Sequence, residues 1–218
     1  MSQERTATVI RKTNETDISV FVQIHDTPPL THVIDVDTGI GFLDHMYSAL
    51  AKFSHLSIRL KCKGDLHIDD HHTAEDTAIA LGTAVAEAIG ERRGIQRYGY
   101  AYAPLDESLS RAVVDISGRP FACVSLNLKR EKIGMLSSEM IPHVIQSLST
   151  AAKMTVHVDT LKGENDHHKA ESAFKALGLA LRQAWQKTRQ IMNQEMKAKK
   201  ETYPNHQWLV SLFLHTLV

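Results

Sequence analysis

Cysteine is scarce in this sequence, which contains only Cys62 and Cys123 among its 218 residues. Two cysteines are too few for a disulfide framework, and both stand in strand-like segments, which is typical of thiols kept reduced. We therefore expect a protein of the cytoplasm that is stabilised by a buried core. A chain of this length, with 43% apolar residues, can bury one as a single domain or as two small ones.

Net charge and long apolar runs are also lacking. The 25 Lys and Arg residues balance 25 Asp and Glu residues, so no net field attracts nucleic acid or an anionic membrane. No apolar run approaches the roughly 18 residues that a membrane span needs, and residues 1–12 have no apolar signal core. We expect neither a nucleic-acid partner nor a membrane partner.

Histidine, by contrast, is abundant, and the thirteen histidines include two adjacent pairs. Residues 70–82 read DHHTAEDTAIALG and residues 166–178 read DHHKAESAFKALG, and eight of these thirteen positions are identical. Upstream, His45 and His143 each open a helical stretch that is followed by an alternating strand and a Lys-Gly turn. The sequence predicts two similar α/β repeats, residues 1–95 and 96–192, and a divergent tail, residues 193–218.

The coarse element pattern follows from apolar periodicity. Strands are predicted at residues 17–24, 57–62, 111–117, 122–128 and 154–158. Helices are predicted at residues 73–89, at 139–152, and from about residue 168 into the 190s.

Helical spacing selects candidate metal ligands inside the repeat. Residues four apart share a helix face, so His71 and Glu75 can bind one ion, and the equivalent pair in the second repeat can bind another. The adjacent histidines point about 100° away and must face the other ion. The pattern predicts that His72 completes the ion held by His167 and Glu171, while His168 completes the ion held by His71 and Glu75.

The two remaining repeated histidines, His45 and His143, give each ion three imidazoles and one carboxylate. This set could close a tetrahedral zinc site, but it leaves open positions on six-coordinate Mn²⁺ or Fe²⁺, as catalysis requires. We expect Asp69, Asp70 and Asp166 to orient imidazoles by hydrogen bonds.

Several motifs together resemble the imidazoleglycerol-phosphate dehydratase family, over residues 13 to about 190. They are Phe42-Leu43-Asp44-His45-Met46, GDLHIDDHHTAED at residues 64–76, Pro104-Leu105-Asp106-Glu107, Ser117-Gly118-Arg119-Pro120, and Gly163-Glu164-Asn165 before the second histidine pair.

The resemblance implies an α+β fold of duplicated half-domains, similar to ribosomal protein S5 domain 2, with the helices between the sheets. It implies two Mn²⁺ per active site and a 24-subunit homo-oligomer with sites between subunits. It implies that the metal ligands are His45, His71, His72, Glu75, His143, His167, His168 and Glu171, and that Glu15, Arg97, Arg119 and Lys175 contact a small phosphate ester.

The implied reaction is the dehydration of imidazole glycerol phosphate to imidazole acetol phosphate in histidine biosynthesis. No carbonyl acidifies the carbon-bound proton, so we hypothesise that a metal-held imidazolate ring expels the hydroxyl. A base then removes the neighbouring proton, and the enol becomes the ketone. Glu15 is the candidate acid–base group, although an acid ahead of a strand is also an ordinary surface residue.

Two positions depart from the family pattern. Phe53 stands where the family usually has a substrate-contacting histidine. The closing Ser-x-Lys-Gly-type phosphate loop is absent, and the chain instead has lysines at 197, 199 and 200 before an apolar end.

Three other functions remain open from the sequence. A metal-storing or metal-sensing shell would use symmetric sites but does not call for the Ser-Gly-Arg-Pro turn. A dinuclear hydrolase would suit carboxylate-rich ligands better than this imidazole-dominated set. A degenerate dehydratase that assembles but turns over poorly would account for the altered C-terminus.

Overall fold

The computed structural model describes residues 5–188 together with residues 191, 193 and 194. The first half contains one four-stranded sheet and two helices. Its elements are β1 (Thr6–Lys12), β2 (Thr16–Ile24), β3 (Ile34–Asp37), α1 (Gly41–Ser54), β4 (Leu56–Gly64) and α2 (His71–Ile89). The strand order is β1-β2-β4-β3, with β3 parallel to β4 and the other pairs antiparallel.

The second half repeats this plan. Its elements are β5 (Tyr98–Leu105), β6 (Ser108–Asp115), β7 (Phe121–Ser125), the small hairpin β8 (Lys132–Ile133) and β9 (Leu136–Ser137), α3 (Met140–Ala151), β10 (Thr155–Lys162) and α4 (Asp166–Trp185). The strand order β5-β6-β10-β7 matches that of the first sheet, again with one parallel pair, β7 and β10.

Helices α1, α2, α3 and α4 lie between the two sheets. Helix α2 packs on β1 and β2 and α1 on β3 and β4, while α4 packs on β5 and β6 and α3 on β7. Across the middle, α1 packs against α4 and α2 against α3, so each helix pair joins the two halves. The predicted fold class is therefore confirmed.

Alternating burial explains the sheets. In β2 every second residue from Thr16 to Ile24 is buried, and the residues between them are less buried. The buried faces of both sheets contribute to one apolar core with the helices. Among the described residues, no helix is long and apolar enough to cross a membrane.

The last helix is shorter than the sequence predicts. Helix α4 ends at Trp185, and Gln186 has an extended backbone. Residues 191, 193 and 194 are helical again, so the predicted continuous helix into the 190s is interrupted. The Gln186 carbonyl accepts a hydrogen bond from Gln96, and Lys187 forms an isolated β-bridge with Ile95. These pairings with the chain ahead of β5 take the place of another helical turn.

Candidate metal centres

The first group of candidate ligands, the α1–α4 cluster, consists of His45, His167 and Glu171. Nε2 of His45 lies 3.0 Å from Oε2 of Glu171, and Nε2 of His167 lies 3.2 Å from the same oxygen. His167 and Glu171 share a face of α4 because they are four residues apart. His45 comes from α1, so the cluster draws on both halves of the chain.

The second group, the α2–α3 cluster, has the same composition. His71 and Glu75 lie on α2, where Nε2 and Oε2 are 3.5 Å apart, and Nε2 of His143 on α3 lies 3.3 Å from Oε1 of Glu75. Ring centroids of His71 and His143 are 5.3 Å apart, close to the 5.5 Å between His45 and His167. The two clusters are thus repeat-related.

Both clusters suit a divalent ion. In each, one atom from every residue lies within 4.8 Å of the others. Nε2 of His143 is buried and makes no hydrogen bond with any described residue, although a Glu75 oxygen lies 3.3 Å away. A buried imidazole nitrogen without a hydrogen bond is an unsatisfied polar group, which a metal ion would satisfy. Two imidazoles and one carboxylate is a set that Mn²⁺, Fe²⁺ and Zn²⁺ all accept, with positions left open.

Within one chain His72 and His168 join neither cluster. Nδ1 of His72 lies 2.8 Å from Oδ2 of Asp65, and Nδ1 of His168 lies 2.7 Å from Oε2 of Glu107. A carboxylate only accepts hydrogen bonds, so each Nδ1 donates, and in the neutral imidazole Nε2 then carries the lone pair. Nε2 of His168 also lies 3.8 Å from Oδ2 of exposed Asp106. If His72 and His168 each complete one ion, as the sequence predicts, a neighbouring chain must bring them to the clusters.

Sequence reasoning named the wrong carboxylates as imidazole partners. Asp69 accepts from the His71 backbone, Asp70 from the Ser137 backbone and hydroxyl, and Asp166 from the backbones of Lys129 and Arg130. These aspartates lie at helix starts, and they accept from backbone amides, from the Ser137 hydroxyl in β9 and, at Asp166, from the buried ammonium of Lys169.

The residues that do contact the imidazoles, Asp65 and Glu107, stand in turns. Their only signal in the sequence is their place in the Gly64-Asp65 and Asp106-Glu107 motifs. Hydrogen bonds from His168 and from the Asn165 backbone hold the pKa of Glu107 down at about 2.

Lys175 lies beside the α1–α4 cluster. Its Nζ is 2.8 Å from Oε1 of Glu171 and 5.7 Å from the ring centroid of Phe53, within cation–π range. Burial alone raises the pKa of Glu171, but the hydrogen bonds from Lys175 and His45 outweigh it and bring it to about 2. Phe53 therefore packs against a cation that contacts this cluster.

Glu15 is exposed in the turn between β1 and β2. The hydrogen bond with Asp65 raises the pKa of His72, and the nearby carboxylate of Glu15 adds to that rise. Among the described residues, the Glu15 carboxylate makes no hydrogen bond. It is a free acid near a candidate metal ligand.

Arg97 and Arg119 are brought together elsewhere. Arg97 binds both oxygens of Asp115, at 2.8 and 3.2 Å, and Nη2 of Arg119 lies 3.7 Å from the same carboxylate. The Arg97 amide donates to Ala184, nine residues after Lys175 and so ~14 Å along α4. One chain therefore does not place the two arginines beside Lys175.

Comparisons with known proteins agree with this architecture. A family model described as imidazoleglycerol-phosphate dehydratase matches residues 38–181. The protein of that name from Phaffia rhodozyma is 60% identical over 185 residues, which cover 84% of this chain and 90% of the relative. Its namesake from Schizosaccharomyces pombe is 56% identical over 200 residues, covering 83% and 92%.

Two crystal structures are also similar. The imidazoleglycerol-phosphate dehydratase of Staphylococcus aureus has a TM-score of 0.73 and 33% identity, with 84% of this chain and 99% of that chain covered. The enzyme from Pyrococcus furiosus in complex with (S)-C348 has a TM-score of 0.71 and 35% identity, with coverage of 83% and 95%.

Proposed function

The chain belongs to the imidazoleglycerol-phosphate dehydratase family and is a hydro-lyase that acts on a small phosphate ester in histidine biosynthesis, and from this we propose that it converts imidazole glycerol phosphate to imidazole acetol phosphate with two Mn²⁺ per active site. Family membership excludes the metal-storing shell and the hydrolase. The finer parts of the proposal are the metal, the residue roles, the 24-subunit assembly and the cytoplasmic location.

The pair of repeat-related clusters carries the proposal. Each offers two imidazoles and one carboxylate from two helices. The hydrogen bonds of His72 and His168 through Nδ1 leave Nε2 of each neutral ring with a lone pair for a metal. If a neighbouring chain supplies one of these histidines to each cluster, every ion gains a third imidazole. That arrangement supports the eight proposed ligands and an active site between subunits.

The ions would supply charge that holds the substrate imidazole as its anion, which makes loss of the side-chain hydroxyl easier. The chain's own residues must do the remaining work. The reaction breaks one C–H and one C–O bond, releases water, and ends when the enol gains a proton on carbon. Glu15, whose carboxylate makes no hydrogen bond in the described part of the chain, is the residue to which we assign the proton transfer.

Phosphate binding is assigned to Arg97, Arg119 and Lys175. A guanidinium can hold two phosphate oxygens at once, and Arg97 already holds Asp115 in this way. Because Lys175 lies ~14 Å along α4 from the end that contacts Arg97, the three cations can meet on one phosphate only if different subunits contribute them.

The proposal is tested by assaying purified full-length protein for imidazole acetol phosphate, with Glu15→Gln beside it. We expect turnover in the wild type and a kcat lower by about 10²- to 10⁴-fold in Glu15→Gln, with bound Mn²⁺ unchanged. Asp17→Asn removes an acid from the same hairpin, where Asp17 pairs with exposed Lys12, and should keep wild-type kcat. If the wild type formed no product, the degenerate dehydratase would be the remaining hypothesis. A wild-type kcat in Glu15→Gln would show that Glu15 has no catalytic role.

A further inference from the structure

The repeat makes Glu107 the counterpart of Glu15. Glu15 immediately precedes β2, and Glu107 immediately precedes β6. In the same way, Asp65 follows the glycine that ends β4, and Glu164 follows the equivalent Gly163 after β10. Each half therefore has one carboxylate in its hairpin turn and one after the strand, β4 or β10, that precedes its last helix.

The two halves use these carboxylates differently. In the first half Asp65, after β4, holds Nδ1 of His72 at 2.8 Å. In the second half the hairpin residue Glu107 holds Nδ1 of His168 at 2.7 Å. The counterparts left over are Glu15 and Glu164, both exposed, and neither carboxylate makes a hydrogen bond within the described part of the chain.

Glu107 also holds the start of α4. Its Oε1 accepts hydrogen bonds from the backbone amides of Glu164, at 3.2 Å, and Asn165, at 2.9 Å. Asn165 is the N-cap of α4, and its side chain accepts from the His167 amide at 2.9 Å. One carboxylate thus connects the hairpin to the first turn of the helix that carries three proposed ligands.

We propose that Glu107 and Asp65 are positioning residues, which fix His168 and His72 with the Nε2 lone pair directed to a metal ion, and that Asp65 by doing so leaves Glu15 available for proton transfer. The inference rests on the proposed function. An imidazole that donates from Nδ1 to a carboxylate is both oriented and made more basic at Nε2. In the first half the histidine is held by Asp65, after β4, and not by the hairpin glutamate. Of the two equivalent hairpin glutamates, Glu107 is therefore engaged by a histidine and Glu15 is not.

Glu107→Gln and Asp65→Leu test this with little change of shape, and Leu at position 65 cannot accept the hydrogen bond from Nδ1 of His72. The amide oxygen of Gln can still accept from the two backbone amides, but its NH₂ would face Nδ1 and donate to it. The ring proton then moves to Nε2, which can no longer bind metal. We expect each variant to bind Mn²⁺ about 10- to 100-fold more weakly, with the melting temperature of the chelated protein unchanged.

Glu164→Gln is the matched control, because it removes the same charge from the adjacent, unused carboxylate, and it should bind Mn²⁺ as the wild type does. The probe is Mn²⁺ alone, titrated into full-length protein, with free Mn²⁺ read by electron paramagnetic resonance. Wild-type Mn²⁺ affinity in both anchor variants would overturn the inference, as would an effect on the melting temperature alone. If the wild type bound no Mn²⁺, both the proposed function and the inference would be wrong. If the wild type bound Mn²⁺ and turned over normally, the results of the anchor variants would test the inference alone.

Discussion

Gly178 lies so close to Leu50 that a β-carbon at position 178 would be 2.8 Å from the Leu50 carbonyl oxygen. The repeat-equivalent glycine, Gly82, would place a β-carbon 2.5 Å from the carbonyl oxygen of Leu148. Each glycine therefore lets a helix from one half approach a helix from the other half at backbone distance. The same approach, about two turns earlier along the helices, brings His45 to Glu171.

Gly178→Ala and Gly82→Ala should each destabilise the protein by about 1–3 kcal/mol, because the added methyl meets backbone that must shift. Each should also weaken Mn²⁺ retention at the cluster formed by its own helix pair. Thermal unfolding of the chelated protein measures the first effect. Gly41→Ala is the control, since a β-carbon at position 41 would have no other group within 4 Å, and it should not lower the melting temperature.

Glu75→Gln and Glu171→Gln each remove the carboxylate of one cluster while keeping its size. Each variant should retain fewer ions per chain and lose nearly all turnover, because the proposed reaction needs both ions around the substrate imidazole. Metal analysis after dialysis, with kcat measured on the same samples, checks this. Glu91→Gln changes an acid that is 89% exposed and should behave as wild type, whereas normal metal content and kcat in either cluster variant would refute the pairing.

Metal removal should weaken the assembly. The described residues give each cluster three ligands from one chain, and the proposed fourth comes from a neighbour, so ions that bind only the assembled state stabilise it. Light scattering should show a smaller mass after chelation and recovery after Mn²⁺ is returned. A large oligomer that survives complete metal removal would contradict sites shared between subunits.

The tail is tested by function, because Lys197, Lys199, Lys200 and the apolar end lie outside the described residues. We predict that Arg97, Arg119 and Lys175 hold the phosphate without the lysine cluster, since flexible lysines lack the backbone donors of a preorganised loop. Replacing the three lysines by alanine, and separately deleting residues 202–218, should leave substrate affinity within about tenfold. A larger loss in the lysine variant, above roughly 1.4 kcal/mol with metals retained, would show that the cluster replaces the missing loop.

The internal repeat made the two halves predictable. The His–Glu pairs were predictable because a spacing of four residues on one helix is a local property of the sequence. Strand β5 was missed for a physical reason. Tyr98, Tyr100 and Tyr102 face outward and are 55–66% exposed, while the small residues between them face α4. The larger apolar side chains thus mark the outer face, opposite to the usual pattern.

The carboxylates that hold His72 and His168, Asp65 and Glu107, could not be predicted from the sequence either. Glu107 and His168 are 61 residues apart, and only the fold places the hairpin turn beside the start of α4. The assignment of His45 to Glu171 and of His143 to Glu75 likewise depends on which helices pack across the middle. The division of the chain at residues 95 and 96 stays a prediction, since both halves share one core.

The most direct test of the account is a titration of chelated protein with Mn²⁺, in which bound metal and formation of imidazole acetol phosphate are measured on the same samples. We predict no turnover without metal and a rise in kcat that is complete only when two ions are bound per chain. Full turnover by metal-free protein, or by protein with a single ion per chain, would contradict the dinuclear site.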